Sequence, residues 1–137
     1  MIIADTKLII PLLIEHEGRE KALKLLQHDP DWHLPDCWQI EFANALRNYE
    51  RAGLFPRSTI LEIQFHTNSI FPPSNIHPVD LTETLKIACD HNLSAYDARF
   101  IALARMFGLK LVTEDQRLRK ACPNDTLSLD EALGLYS

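Results

Sequence analysis

The sequence predicts an α/β protein, an α/β/α sandwich built on a short central parallel sheet. Short continuous apolar runs such as "IIA", "WHLP" and "KLVT" alternate with longer stretches of helical periodicity, the pattern of strands covered on both faces. Apolar residues make up 46% and charged residues 24% of the 137, which is ordinary for a globular chain. No internal repeat, low-complexity tract or linker interrupts it, so a single domain over 1–137 is expected.

Taken in order, "MIIAD" reads as a buried strand ending at Asp5, and residues 6–15 as a helix whose first turn is confined or kinked by Pro11. "GREKALKLLQH" places Ala22, Leu23, Leu25 and Leu26 at helical spacing, and "WHLP" is a brief strand. "DCWQIEFANALRNYERAG" is the clearest helix, opened by Asp36 and closed by Gly53. A helix follows Pro56 through Ile60, Ile63 and Phe65 to about Ile70, and "PPSNIHPVD" holds a short strand around Ile76. Helices over 81–91 and 95–107 come next, the second stopped by Gly108. "KLVT" is a strand, "EDQRLRKA" a short helix, "TLSL" a last strand and "DEALGL" a terminal helical turn, with Asp130 as its cap.

The longest apolar run, "LIIPLLI", is too short to cross a bilayer and contains a proline, and no basic leader precedes it. Three widely separated cysteines, Cys37, Cys89 and Cys122, point to free thiols and a cytoplasmic location. A net charge of −5 argues against coating of nucleic acid by bulk electrostatics, but not against local handling of it by an enzyme. Two basic groups, Arg47, Arg51 and Arg57, then Arg117, Arg119 and Lys120, read first as solvated helix faces.

In a parallel sheet, functional groups gather beyond the carboxyl ends of the strands. Asp5 follows the first strand and, taken alone, is a helix cap. In "LSAYDARFIALA", Ser94 and Asp97 form a capping-box pattern. Asp115 lies just past "KLVT", where Thr113 and Gln116 already supply a capping pair and leave it free. Glu41 flanks the stripe of Trp38, Phe42, Ala45 and Tyr49, where a carboxylate is costly unless an arginine or another cation receives it. Glu15, Glu17, Glu20, Glu50 and Glu62 read as solvated, and Glu114 as a weak reserve ligand. Four clustered carboxylates repel one another unless a divalent cation neutralises them, and an all-oxygen set suits Mg²⁺ or Mn²⁺ and metal-assisted phosphodiester hydrolysis.

"MIIADTKLI", "QIEFANAL", "LSAYDARFIALA" and "LVTEDQRL", in that order, resemble the acidic motifs of the PIN-domain ribonucleases, specifically the VapC toxins of VapBC toxin–antitoxin pairs. The likeness runs from Met1 to about Leu133. It implies an endoribonuclease dependent on Mg²⁺ or Mn²⁺, usually a homodimer, acting on RNA and held inactive by a VapB-like antitoxin, with no membrane. Asp5, Glu41, Asp97 and Asp115 would then be the catalytic, metal-binding acids, with Thr113 positioning the last loop and Asp97 both starting a helix and facing metal. Arg47, Arg51, Arg99 and Arg117 would steer the RNA backbone. The apolar "LIIPLLI" and "ALKLL" read as core, and the resemblance adds an antitoxin groove on that helix pair. One departure stands out: the family commonly has a small polar residue two positions after the first acid, and here it is Lys7. Its ammonium would replace one cation, weaken metal binding or hold the scissile phosphate, which opens the alternative of an inert RNA-binding or regulatory module. A phosphoacceptor receiver domain lacks its paired early acids here, and "HEGRE" lacks the second histidine of a zinc hydrolase.

Overall fold

The computed structural model describes residues 1–14, 17–36 and 38–136. Strands β1 (Ile2–Ala4), β2 (Trp32–Pro35), β3 (Ile76–His77), β4 (Leu111–Val112) and β5 (Thr126–Leu127) form one parallel sheet in the order β3-β2-β1-β4-β5. The described helices are α1 (Ile10–Leu13), α2 (Arg19–His28), α3 (Trp38–Arg51), α4 (Arg57–Thr67), α5 (Leu81–His91), α6 (Ala95–Met106), α7 (Gln116–Ala121) and α8 (Leu129–Gly134). None is long and apolar enough to cross a membrane.

Alternation along β1 separates the layers. Ile3 joins a core with Ile87 of α5, Ile101 and Leu103 of α6 and Leu118 of α7. Ile2 and Ala4 turn the other way, towards Leu12, Leu25 of α2 and Leu129 of α8. A third cluster sets Ile9 and Ile10 against Leu34, Trp38, Phe42 and Leu46. Helix α6 is apolar nearly all round, with Ala98, Phe100, Ile101, Ala102, Leu103 and Ala104 buried, so it packs as an interior helix and holds its first turn firmly. Gly108, at φ +65°, ends it in the left-handed conformation that a residue with a Cβ rarely adopts.

The expected fold class and the order of elements are observed, with local differences. Residues 6–15 split into a 3₁₀ turn, Thr6–Leu8, and the short α1, where Pro11 occupies the first turn and no hydrogen bond is lost. The expected helix end at Glu15 lies outside the described residues. Helix α4 stops at Thr67, short of Ile70: the Thr67 hydroxyl donates to the Ile63 carbonyl (2.7 Å), and Phe65, 74% exposed, has no core to hold a longer helix. Asp130 is not the cap of α8. Ser128, in extended geometry, makes a full capping box with Glu131, while Asp130 sits in the first turn and pairs with Lys21 (2.8 Å). Glu50 is half-buried beside Arg47 rather than freely solvated. Cys89 and Cys122 are free thiols, and Cys37 lies outside the described residues. The α1–α2 apolar residues Leu12, Ala22 and Leu25 are core. Leu13 and Ile14, at the end of the α1 run, line an apolar cavity of about 430 Å³ together with Phe55 and with Ile63 of α4.

Candidate active site

The strands of a parallel sheet end together, so residues just past β1 and β4 meet on one side. Asp5 follows β1, and its amide donates to the Val112 carbonyl at the end of β4 (3.1 Å). Its carboxylate is 6% exposed and is held by neutral donors: the Lys7 amide on Oδ1 (3.2 Å) and the Thr113 hydroxyl on Oδ2 (2.7 Å). Burial raises the Asp5 carboxyl above the usual range despite both bonds. The fully buried Thr113 oxygen also accepts the Asp115 amide (3.0 Å), so one hydroxyl ties the two acidic loops together.

Asp115 is the N-cap of α7, contrary to the expectation that Thr113 and Gln116 would cap that helix. Its Oδ1 accepts the amides of Arg117 (3.0 Å) and Leu118 (3.2 Å). The reason is positional: Asp115 has extended geometry directly before Gln116, and the Thr113 hydroxyl is already committed to Asp5. Its Oδ2 accepts from the Lys7 ammonium (3.1 Å). Burial works to raise this carboxyl, but the Lys7 bond and the helix amides outweigh it and hold it below its ordinary value. Lys7 is pushed up in turn: burial opposes the shift, and the Asp115 bond, with the charges of Asp5 and Asp97, overcomes it.

Glu41, in the first turn of α3, accepts from the Arg99 guanidinium and from the Thr6 hydroxyl (3.3 Å). Burial raises its carboxyl even so. Of the two cations the sequence allowed for Glu41, the arginine is therefore present. Asp97 sits in the first turn of α6. Its amide donates to Ser94, but the return half of the capping box is replaced by an ion pair, with Oδ2 accepting from Arg117 (2.8 Å). Glu114 is not a ligand in reserve, because its carboxylate accepts the Leu129 amide at the start of α8 (2.8 Å).

Asp5, Thr6, Lys7, Glu41 and Asp97 line one end of a cavity of about 520 Å³, and Asp115 joins them through Lys7. The four acids predicted from the sequence thus gather at the carboxyl ends of β1 and β4. Among the described residues, no three of His, Cys, Asp or Glu already face a common centre, because Asp97, Glu41 and Asp115 each hold a side-chain cation. The donor chemistry fits a hard divalent ion: every donor is oxygen, and among the described residues the buried Asp5 carboxylate bonds no side-chain cation of its own.

The four arginines assigned to RNA steering fare differently. Arg99 faces inward, its side chain 11% exposed, donating to Glu41 and to the Asp36 carbonyl (2.6 Å). Arg117 is bound to Asp97, Arg47 pairs with Glu50, and Arg51 is exposed near the end of α3. Sequence reasoning missed Thr6, although its place beside Asp5 was a signal. It also missed Asn44, Asn48 and Tyr96, which line the other end of the cavity.

The PIN domain profile matches residues 2–123. Ribonuclease VapC3 of Pyrobaculum aerophilum is 27% identical over 124 residues, covering 89% of this chain and 95% of that protein. The crystal structure of PAE2754 from Pyrobaculum aerophilum superposes with a TM-score of 0.74 at 22% identity, covering 98% of this chain and 97% of the other. A toxin–antitoxin complex from Klebsiella pneumoniae gives a TM-score of 0.60 at 15% identity, covering 94% and 98%.

Proposed function

This chain belongs to the PIN domain family, and from that premise we propose that it is a VapC-like endoribonuclease hydrolysing RNA phosphodiester bonds with Mg²⁺ or Mn²⁺. The observation that carries the proposal is the meeting of Asp5, Glu41 and Asp97 in one cavity, with Asp115 tied in through Thr113 and Lys7.

Asp5, Glu41, Asp97 and Asp115 are the residues that would hold the ion. When bound, it would polarise the phosphodiester and acidify water. The chain's own groups do the rest. Thr113 fixes the Asp5 carboxylate against the Asp115 loop, and Arg99 and Thr6 fix that of Glu41. Lys7 and Arg117 are exposed cations held by single ion pairs, so they can pass from the carboxylates to the phosphate oxygens of RNA. Water oxygen forms the new bond to phosphorus and gives up a proton to solvent, the bridging P–O bond breaks, and the leaving oxygen takes a proton back from solvent.

The test is RNA cleavage by wild type and Asp97→Asn, with Mn²⁺ and with chelator. Cleavage by wild type with Mn²⁺ alone supports the proposal, and equal cleavage in every condition rejects it. The Lys7–Asp115 bond favours a second reading, an inert module whose lysine replaces the cation. Lys7→Ala separates the two: a competent site binds Mn²⁺ in wild type and more tightly in the variant, whereas the inert module binds it only in the variant. The Klebsiella complex supports an antitoxin partner, for which the apolar cavity between α1 and α4 is the natural seat of an apolar peptide side chain. Homodimerisation is the remaining part of the proposal, read by sedimentation of the purified chain.

A further inference from the structure

The cavity that holds the acids continues along α3 and α6 into a region of different chemistry. Ile40, Asn44 and Asn48 form an i, i+4, i+8 stripe on α3, and Tyr96 and Phe100 face the same space from α6. Two large apolar side chains here stand open, Ile40 and Tyr96, each 68% exposed. The Tyr96 ring has Arg99 within 5.9 Å of its centroid, and Arg99 is itself anchored to Glu41 and Asp36. Neither the Asn44 nor the Asn48 amide has a hydrogen-bond partner among the described residues, although each carries two donors and one acceptor. Tyr96 also directly precedes Asp97 in the chain.

An exposed aromatic ring braced by a fixed cation, beside a pair of unused amides, is the equipment for a nucleobase: the ring offers a stacking face, and the amides offer donors and acceptors for a base edge. We infer that this end of the cavity is a base-binding subsite, in which Tyr96 stacks a single-stranded RNA base next to the scissile phosphate and Asn44 and Asn48 read its edge. The inference rests on the nuclease reading and adds to it selection by a base beside the cut. The apolar rim suits the flat face of a base, and the adjacent cations Lys7 and Arg117 suit the phosphate joined to it.

The experiment is equilibrium binding of labelled oligo-A, oligo-C, oligo-U and a fully abasic oligoribonucleotide of equal length to the full chain, in EDTA so that no hydrolysis occurs. Wild type should favour the base-bearing oligomers. Tyr96→Ala should weaken their binding by roughly fivefold to a hundredfold, the range for loss of one base–aromatic stack, and leave the abasic oligomer unchanged. Tyr96→Phe and Tyr96→Trp should retain the preference, and Asn44→Ala with Asn48→Ala should level the differences among the three bases. Tyr96→Ala binding all oligomers as wild type does, or altering self-association in sedimentation and not RNA binding, overturns the inference. Parallel cleavage assays with Mn²⁺ separate the two failures: a wild type that cleaves without regard to Tyr96 removes only the subsite, and one that neither binds nor cleaves removes the nuclease reading as well.

Discussion

At the floor of the site, Asp5 is buried and bonded by a hydroxyl and a backbone amide; at the rim, Asp97 and Asp115 hold Arg117 and Lys7, whose side chains are 75% and 67% exposed. The floor is fixed by neutral groups that cannot leave without unfolding the loop between β4 and α7. The rim is closed by solvated ion pairs, which contribute little to stability and exchange readily for an incoming cation or phosphate. A site that keeps its shape while trading its charges needs both arrangements, and this one divides them by depth.

Breaking the floor should have the largest effect on stability. Thr113→Val removes the hydroxyl from Asp5 Oδ2 and from the Asp115 amide, and should cost about 1–3 kcal/mol in urea denaturation. Asp5→Asn should act in the opposite direction at neutral pH, raising stability by removing the buried charge, with the amide NH2 turned to the Thr113 oxygen and its carbonyl to the Lys7 amide; a loss of stability would show that the floor is not strained by its carboxylate.

A second hydrogen-bonded network sharpens the comparison. His33 and His77 share one hydrogen bond at the β2–β3 edge (2.7 Å), and His33 also bonds Asp31 (2.8 Å). Burial, helped by the nearby His33, holds His77 below its usual pKa. The unfolded chain therefore binds more protons, so this contribution is full above about pH 6.5 and is lost as pH falls through the lower folded value. Stability of the wild type should decline more than that of His77→Gln between about pH 7 and about pH 5; parallel declines would remove His77 from the account. Breaking the rim should matter least: Arg117→Ala should change stability by no more than about 0.5 kcal/mol, and a larger loss would place Arg117 with the floor.

Much of this was legible in the sequence because it is local. The strand before Asp5, the Ser94 cap before Asp97 and the glycine after α6 each declare themselves within a few residues. The pairing of charges was not. Lys7 meets Asp115 across 108 positions, which depends on the register that sets β1 beside β4, and Arg117 meets Asp97 across 20, which joins α7 to α6. The inward turn of Arg99 was hidden for the same reason, since its partner Glu41 belongs to another helix. Thr113 and Asp115 were misassigned because two adjacent residues can each cap the same helix, and only the buried demand of Asp5 for a hydroxyl decides between them.

The most direct test is Mn²⁺ binding to the purified chain, followed by electron paramagnetic resonance, for wild type and Asp5→Asn. Wild type should take up the ion, and Asp5→Asn should bind it more than about 100-fold more weakly, beyond the roughly 10–100-fold range reached by removing an outer partner such as Thr113, if Asp5 is a direct ligand. Equal uptake by both proteins, or none by wild type, would contradict the claim that these carboxylates form a metal site.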